Sequence, residues 1–181
     1  MKKMMIVSLV GWLTLAMGAC ETSDKVEQAA KTTSVNNLAG TWVLKSILLG
    51  DMMDLPCGVK NEGKIEPITL TFSTTKDETG AMTLNGRSSV NTYFSAYSLV
   101  SFDEATQTGK IKMAAIGSTK MASTPDLMQC ESRYFSMLSE AVDFQLSTVS
   151  GKTQLELGVL ANQKIASPLG GKGNLLIFEK Q

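Results

Sequence analysis

The chain reads as a mainly β, α+β domain: an antiparallel sheet curled into a partly open barrel and packed around one helix of about residues 125–141. Three observations predict this. Apolar and polar residues alternate at the period of a half-buried strand in segments such as 65–73, 92–102 and 153–158. Turn-forming Gly, Pro, Asp and Asn cluster between such segments. A single late stretch, STPDLMQCESRYFSMLSEAV, carries convincing helical spacing in the folded part.

The chain opens outside that fold. Lys2 and Lys3 precede an uncharged apolar run from Met4 to Met17, and Gly18, Ala19 and Cys20 then lead into a polar stretch. A basic start, a short apolar core and small residues before a break form a secretory signal, too short to favour a membrane-spanning helix. MGAC resembles the lipobox of bacterial lipoproteins, with Met17 where Leu is usual. The resemblance implies a signal peptide over 1–19 and lipid on Cys20, a diacylglyceryl group and often an amide-linked chain, which attaches the protein to the membrane. Several acyl chains anchor stably where one does not. Glu21 resembles an outer-membrane address in a Gram-negative host, with the domain facing the periplasm or the exterior. Residues 20–37 read as a flexible tether poor in apolar residues, and 38–181 as one domain long enough for its own core.

Within that domain, LAGTWVLKSILL (38–49) is a β-rich run containing Trp42. Residues 50–64 are punctuated by Gly, Pro and Asp and read as loop, with Met52, Met53 and Leu55 covering one end of the core. In 65–73, Ile68, Leu70 and Phe72 alternate with threonines, and Pro67 sits near the start, where a missing donor does least harm. A short strand over 81–84 precedes NGRSSVN. From Thr92, Phe94, Ala96, Val100 and Phe102 share one face and Tyr93, Tyr97 and Leu99 the other, a pattern that calls for cover on both sides or for a bulge. Ile111 and Met113, Phe144 and Leu146, then Leu155 and Leu157 alternate in three further strands. Residues 159–173 read largely as loop, and NLLIFEK as a final strand.

The helix has Ser123 or Thr124 to cap it, Pro125 in its first turn and Asp126 at its positive end. Leu127, Tyr134, Leu138 and Ala141 form one side, widened by Met128, Phe135 and Val142. Glu131 borders that stripe in a rim or hydrogen-bonding position.

With Cys20 carrying lipid, Cys57 and Cys130 remain as an even pair in an oxidising compartment. Either they are joined, tying the segment after the first strand to the helix, or they are two separate thiols with one buried on the helix. Removing residues 1–19 takes two lysines and no acid from a chain of 17 basic and 17 acidic residues, a near-neutral balance that excludes an electrostatic nucleic-acid binder. The absence of histidine removes His-based triads and imidazole metal sites. PLGGKGN lacks the Lys-Ser/Thr ending of a phosphate loop, and the acidic pairs Asp77–Glu78 and Asp103–Glu104 lack the spacing of a calcium loop and read as solvated hairpin tips. No catalytic residue, metal or cofactor is expected.

Leu38, Gly40 and Trp42, then Leu70 and Phe72, Asn91 before Tyr93 and Tyr97, and Thr119, Met121 and Ala122 follow in order. Glu131, Phe135 and Leu138 on the helix and Leu176 and Phe178 at the end complete a set that resembles the META domain family of HslJ-like bacterial lipoproteins. Two cysteines familiar in that family are replaced here by Val90 and Ser123, so Cys57 and Cys130 are candidates for a different clamp. The resemblance implies a sheet curled partly into a barrel around its helix, structural roles for Gly40, Trp42, Asn91, Thr119, Met121, Glu131 and Phe135, and no general catalytic activity or cofactor. It associates the chain with stress response, outer-membrane integrity or virulence. The expected function is therefore a non-enzymatic, lipid-anchored envelope domain that binds an envelope protein or maintains the envelope. The alternative is a small apolar ligand held in the half-barrel. Oligomeric state is left open.

Overall fold

The computed structural model describes residues 37–57, 59–61, 64–160 and 173–181. The leader, Cys20, nearly all of the tether and most of the 159–173 loop therefore lie outside the described residues. In chain order the elements are β1 (Gly40–Leu49), β2 (Met52–Asp54), β3 (Val59–Asn61), β4 (Lys64–Glu66), β5 (Thr69–Lys76), β6 (Met82–Arg87), β7 (Thr92–Asp103), β8 (Thr108–Met113) and β9 (Gly117–Ser118). Helix α1 (Pro125–Glu140) follows, then β10 (Asp143–Val149), β11 (Lys152–Leu160) and β12 (Gly173–Lys180).

Eight of these strands form an antiparallel ring in the order β1, β5, β6, β7, β8, β10, β11, β12, and β12 returns to β1 through pairs from Trp42–Lys180 to Leu49–Asn174. The ring is uneven. β8 meets β10 only at residues 108–110 against 143–145. Val142 then bonds Ile111 on one side and Gly158 on the other, so α1 stands where β10 would have continued. Period-two alternation sends Trp42, Leu44, Leu70, Phe72, Leu84 and Tyr97 into one core with Phe144, Leu155, Leu157, Leu176 and Phe178, while Tyr134, Leu138 and Ala141 join it from α1 and the residue after it.

The registers give the ring two poles. Gly40 lies opposite Phe72 and Trp42 opposite Lys180, so the chain enters at the same end as the turns at 77–81, 104–107 and 150–151. The β6–β7 turn, the Gly50 turn and the start of α1 lie at the other end, roughly 25 Å away by strand rise. At the entry pole Trp42 is fully buried, donates Nε1–H to the Leu38 carbonyl at 2.7 Å and lies under the Lys180 ammonium.

Several expectations change. Residues 50–64 hold two short strands and the first residue of a third, and Met52, Met53 and Leu55 do not cover the core: they are 71%, 70% and 78% exposed. Among the described residues β2 pairs only with the end of β1, at the edge of the sheet, and its side chains are exposed. On β7 the bulge between Leu99 and Ser101 ends the simple alternation, and Tyr93 and Tyr97 turn inward while Phe94 and Val100 face out. Along α1 the buried line runs through Cys130, Glu131, Tyr134, Met137 and Leu138; Met128 and Val142 fall on the exposed side. Thr124 is the N-cap residue, with no side-chain cap bond.

Cys57 and Cys130 are joined in a disulfide with Cα atoms 6.2 Å apart, and Arg133 Nη1 donates to Asp54 Oδ2 at 2.7 Å beside it. The segment from β2 to Cys57 is thus fixed to α1 twice. Replacing both cysteines by serine is expected to cost about 4 kcal/mol in the chain-entropy account of so long a loop, measured as a lowered urea midpoint.

Candidate functional site

The β6–β7 turn, SSVN, sits beneath α1 at the pole opposite chain entry. Ser88 closes it by donating N–H to the Asn91 carbonyl at 2.8 Å, and its hydroxyl accepts the Asn91 N–H at 2.9 Å. The turn shares that Asn91 N–H with the helix and adds the Asn91 side-chain amide. Asn91 N–H reaches Glu131 Oε2 at 2.8 Å, and Asn91 Nδ2 reaches Glu131 Oε1 at 2.7 Å. The Ser88 hydroxyl also lies against Oε2. Glu131 is 6% exposed, and its partners here are donors. Such charge-assisted bonds allow a carboxylate to be buried without a cation beside it.

Asn91 extends the network outward. Its Oδ1 accepts the Thr119 hydroxyl at 2.8 Å and the Met121 N–H at 2.7 Å. The Ser89 hydroxyl donates to the Leu127 carbonyl at 3.0 Å. One asparagine therefore joins three pieces of chain: the turn, the segment after β9 and the helix.

Beside this brace lies an open depression of about 340 Å³ between residues 118–122 and the outward side of α1. Asn91, Thr119, Met121, Glu131 and Phe135 all line it, with Met128. Five of the seven residues singled out in the sequence thus meet at one place. Gly40 and Trp42 do not; they belong to the entry pole. Sequence reading passed over Ser88 and Ser89, both buried. The signal was there in a polar Ser-x-x-Asn run between two strands, the composition of a side-chain-closed turn.

A second buried polar chain supports the same end of α1. Tyr134 donates to Tyr93 at 2.6 Å, and Tyr93 donates to the Thr69 carbonyl at 2.8 Å. Burial raises the Tyr93 and Tyr134 hydroxyls well above the ordinary tyrosine value, and it pushes Tyr97 up to about 12. All three tyrosines of the chain are in the core. Their folded values exceed the unfolded value of ~10, so the stability they carry is complete below that pH and is lost as pH rises through the folded values. Tyrosinate absorbance is expected to rise only as the protein unfolds at alkaline pH; a smooth titration of folded protein near the unfolded value would contradict the burial.

The acidic hairpin tips are occupied by their own turns. Asp77 accepts from the Thr79 hydroxyl and from the Thr79 and Ala81 amides, which hold its carboxyl below the usual range. Asp103 does the same with the amides of Ala105 and Thr106. Among the described residues no group of three or more acidic or cysteine side chains is placed to hold a metal ion.

The model of the META domain matches residues 33–167, most of the ring and all of the brace. The chain belongs to the META domain family. It is also similar to a Burkholderia xenovorans protein solved by NMR, with 24% identity and a TM-score of 0.55 over 82% of this chain and 87% of that one. At that identity the likeness speaks to the fold. No curated protein matches the chain. For this META domain the brace is the feature that fixes the shape of the exposed depression.

Proposed function

We propose that this META domain is a non-enzymatic, lipid-anchored part of the bacterial cell envelope whose pole opposite chain entry captures another envelope protein. The observation that carries the reading is the convergence of Asn91, Thr119, Met121, Glu131 and Phe135 on one open surface, at the pole farthest from Asn37. The polar atoms of Glu131 and Asn91 are engaged within the brace, which leaves them to shape the surface rather than to react. Met121 and Met128 stand exposed beside them, and such adaptable thioether side chains suit a protein face. The anchor rests on MGAC and Cys20. The reading of an apolar ligand inside the half-barrel loses support because Trp42, Phe72, Phe144 and Phe178 fill the interior of the ring.

Photo-reactive residues at Met121 and Met128, in the full chain made in a Gram-negative host, test the proposal. A discrete cross-linked protein from these positions, and none from Thr79 at the entry pole, is the expected result. Cys20→Ser is expected to move the protein out of the membrane fraction. Equal cross-linking from both poles removes the capture surface, and membrane retention of the serine variant removes the anchor.

A further inference from the structure

We propose that the pole opposite chain entry is a site of reversible methionine oxidation, where peroxides convert Met52, Met53, Met121 and Met128 to sulfoxides without opening the ring. The effect of this modification on capture rests on the protein-capture reading above; the site itself does not.

The methionines of the described residues divide by position. Met137 is buried in α1, and Met82 and Met113 pack against the core. Met52, Met53, Met121 and Met128 are 71%, 70%, 63% and 37% exposed. These four share one end of the ring. Met52 and Met53 follow the Gly50 turn, Met121 donates its N–H to Asn91 in the β6–β7 turn, and Met128 closes the first turn of α1 on the Thr124 carbonyl. The other side chains that oxidants attack are withheld from water. Trp42, Tyr93, Tyr97 and Tyr134 are in the core, Cys57 and Cys130 are already joined, and the chain has no histidine. Among the described residues, the oxidisable groups open to solvent are therefore thioethers, gathered at one pole.

A thioether sulfur attacks one oxygen of a hydroperoxide. The S–O bond forms as the O–O bond breaks, sulfur gives up an electron pair, and the other oxygen takes a proton and leaves as water or an alcohol. A dithiol-dependent sulfoxide reductase reverses the change: the dithiol becomes a disulfide and the sulfoxide oxygen leaves as water. Water solvates the new oxygen at an exposed site, whereas in the core it would lack a hydrogen-bond partner. Oxidation of these four positions therefore spares the fold and changes the surface. Met121 and Met128 line the depression with Phe135, so their sulfoxides replace adaptable apolar contact by polar acceptors. Capture through that surface should weaken.

The full chain in detergent, treated with hydrogen peroxide and mapped by peptide mass spectrometry over time, tests the site. Met52, Met53 and Met121 should gain oxygen roughly tenfold faster than Met82, Met113 and Met137, with Met128 between them. The urea midpoint should not move, and a sulfoxide reductase with its dithiol should return all four to methionine. Equal rates at core and pole, or a midpoint that falls as the four sulfoxides form, overturns the proposal. A photo-reactive residue at Lys120, which also lines the depression, reads the consequence. Peroxide should lower its cross-link several-fold, and should not do so when Met121→Leu and Met128→Leu are combined. An undiminished cross-link on fully oxidised protein overturns the effect on capture and leaves the capture reading standing. Absence of any cross-link before peroxide rejects that reading, while the mass map still decides the site.

Discussion

Glu131→Gln is expected to lower the unfolding free energy by about 2–3 kcal/mol, although it changes neither size nor shape. The reason is donor arithmetic. Oε1 faces Asn91 Nδ2, and Oε2 faces both the Asn91 N–H and the Ser88 hydroxyl. An amide nitrogen on the Oε2 side meets the backbone N–H, which cannot turn. Placed on the Oε1 side it meets Asn91 Nδ2. Flipping the Asn91 amide only transfers the clash, because Nδ2 would then face the Met121 N–H that Oδ1 now accepts. Every arrangement leaves one pair of donors opposed in a buried site, which costs the full desolvation of an unmade bond. Urea unfolding at neutral pH reads the loss. A change below about 0.5 kcal/mol would mean that the carboxylate is not locked as described.

Gly86→Ala is expected to cost about 3 kcal/mol or more and to prevent folding in a marginal background. Gly86 pairs with Leu70 on β5 and Tyr93 on β7, and the Tyr93 ring crosses it to reach the Thr69 carbonyl. A methyl group there would sit 2.1 Å from the Thr69 oxygen and 2.6 Å from the Tyr93 hydroxyl oxygen. The backbone oxygen cannot yield without parting two strands. If the ring yields instead, the Thr69 bond breaks and the Tyr134 hydroxyl loses its acceptor at full burial. Gly80→Ala is the matched comparison: its φ of +82° strains a side chain, yet nothing lies within 4 Å. There the cost should stay near 1–2 kcal/mol. Equal losses at the two positions would refute the socket.

Much of this fold was legible because local rules decide it. Pro125, Asp126 and the spacing of Tyr134 and Leu138 mark the helix, and period two marks Leu70–Phe72, Phe144–Leu146 and Leu155–Leu157. What local rules leave free was harder to read. The helix stripe is broad enough that its phase is set by the ring beneath it, so Cys130 and Met137 turned inward and Met128 outward. Apolar residues at 52, 53 and 55 look like core by composition, but they fall on and just after an edge strand whose side chains stay exposed. The brace shows the same limit. Asn91, Thr119 and Glu131 stood out as a motif, yet their bonds span 28 and 40 positions, and only the closed ring brings them together.

That closure also sets an order of events during synthesis. β1 is among the first strands to leave the ribosome, and its partner along nearly its whole length is β12, the last. Until residues 173–180 emerge, β1 and β11 each lack a neighbour, and the core that Trp42, Leu176 and Phe178 share has no far wall. A nascent chain in this state holds local hairpins at most, since distant pairing comes late and slowly. Folding of this domain is therefore a single step taken after translation of the β12 segment, and a chain stalled before residue 173 should remain open to protease throughout.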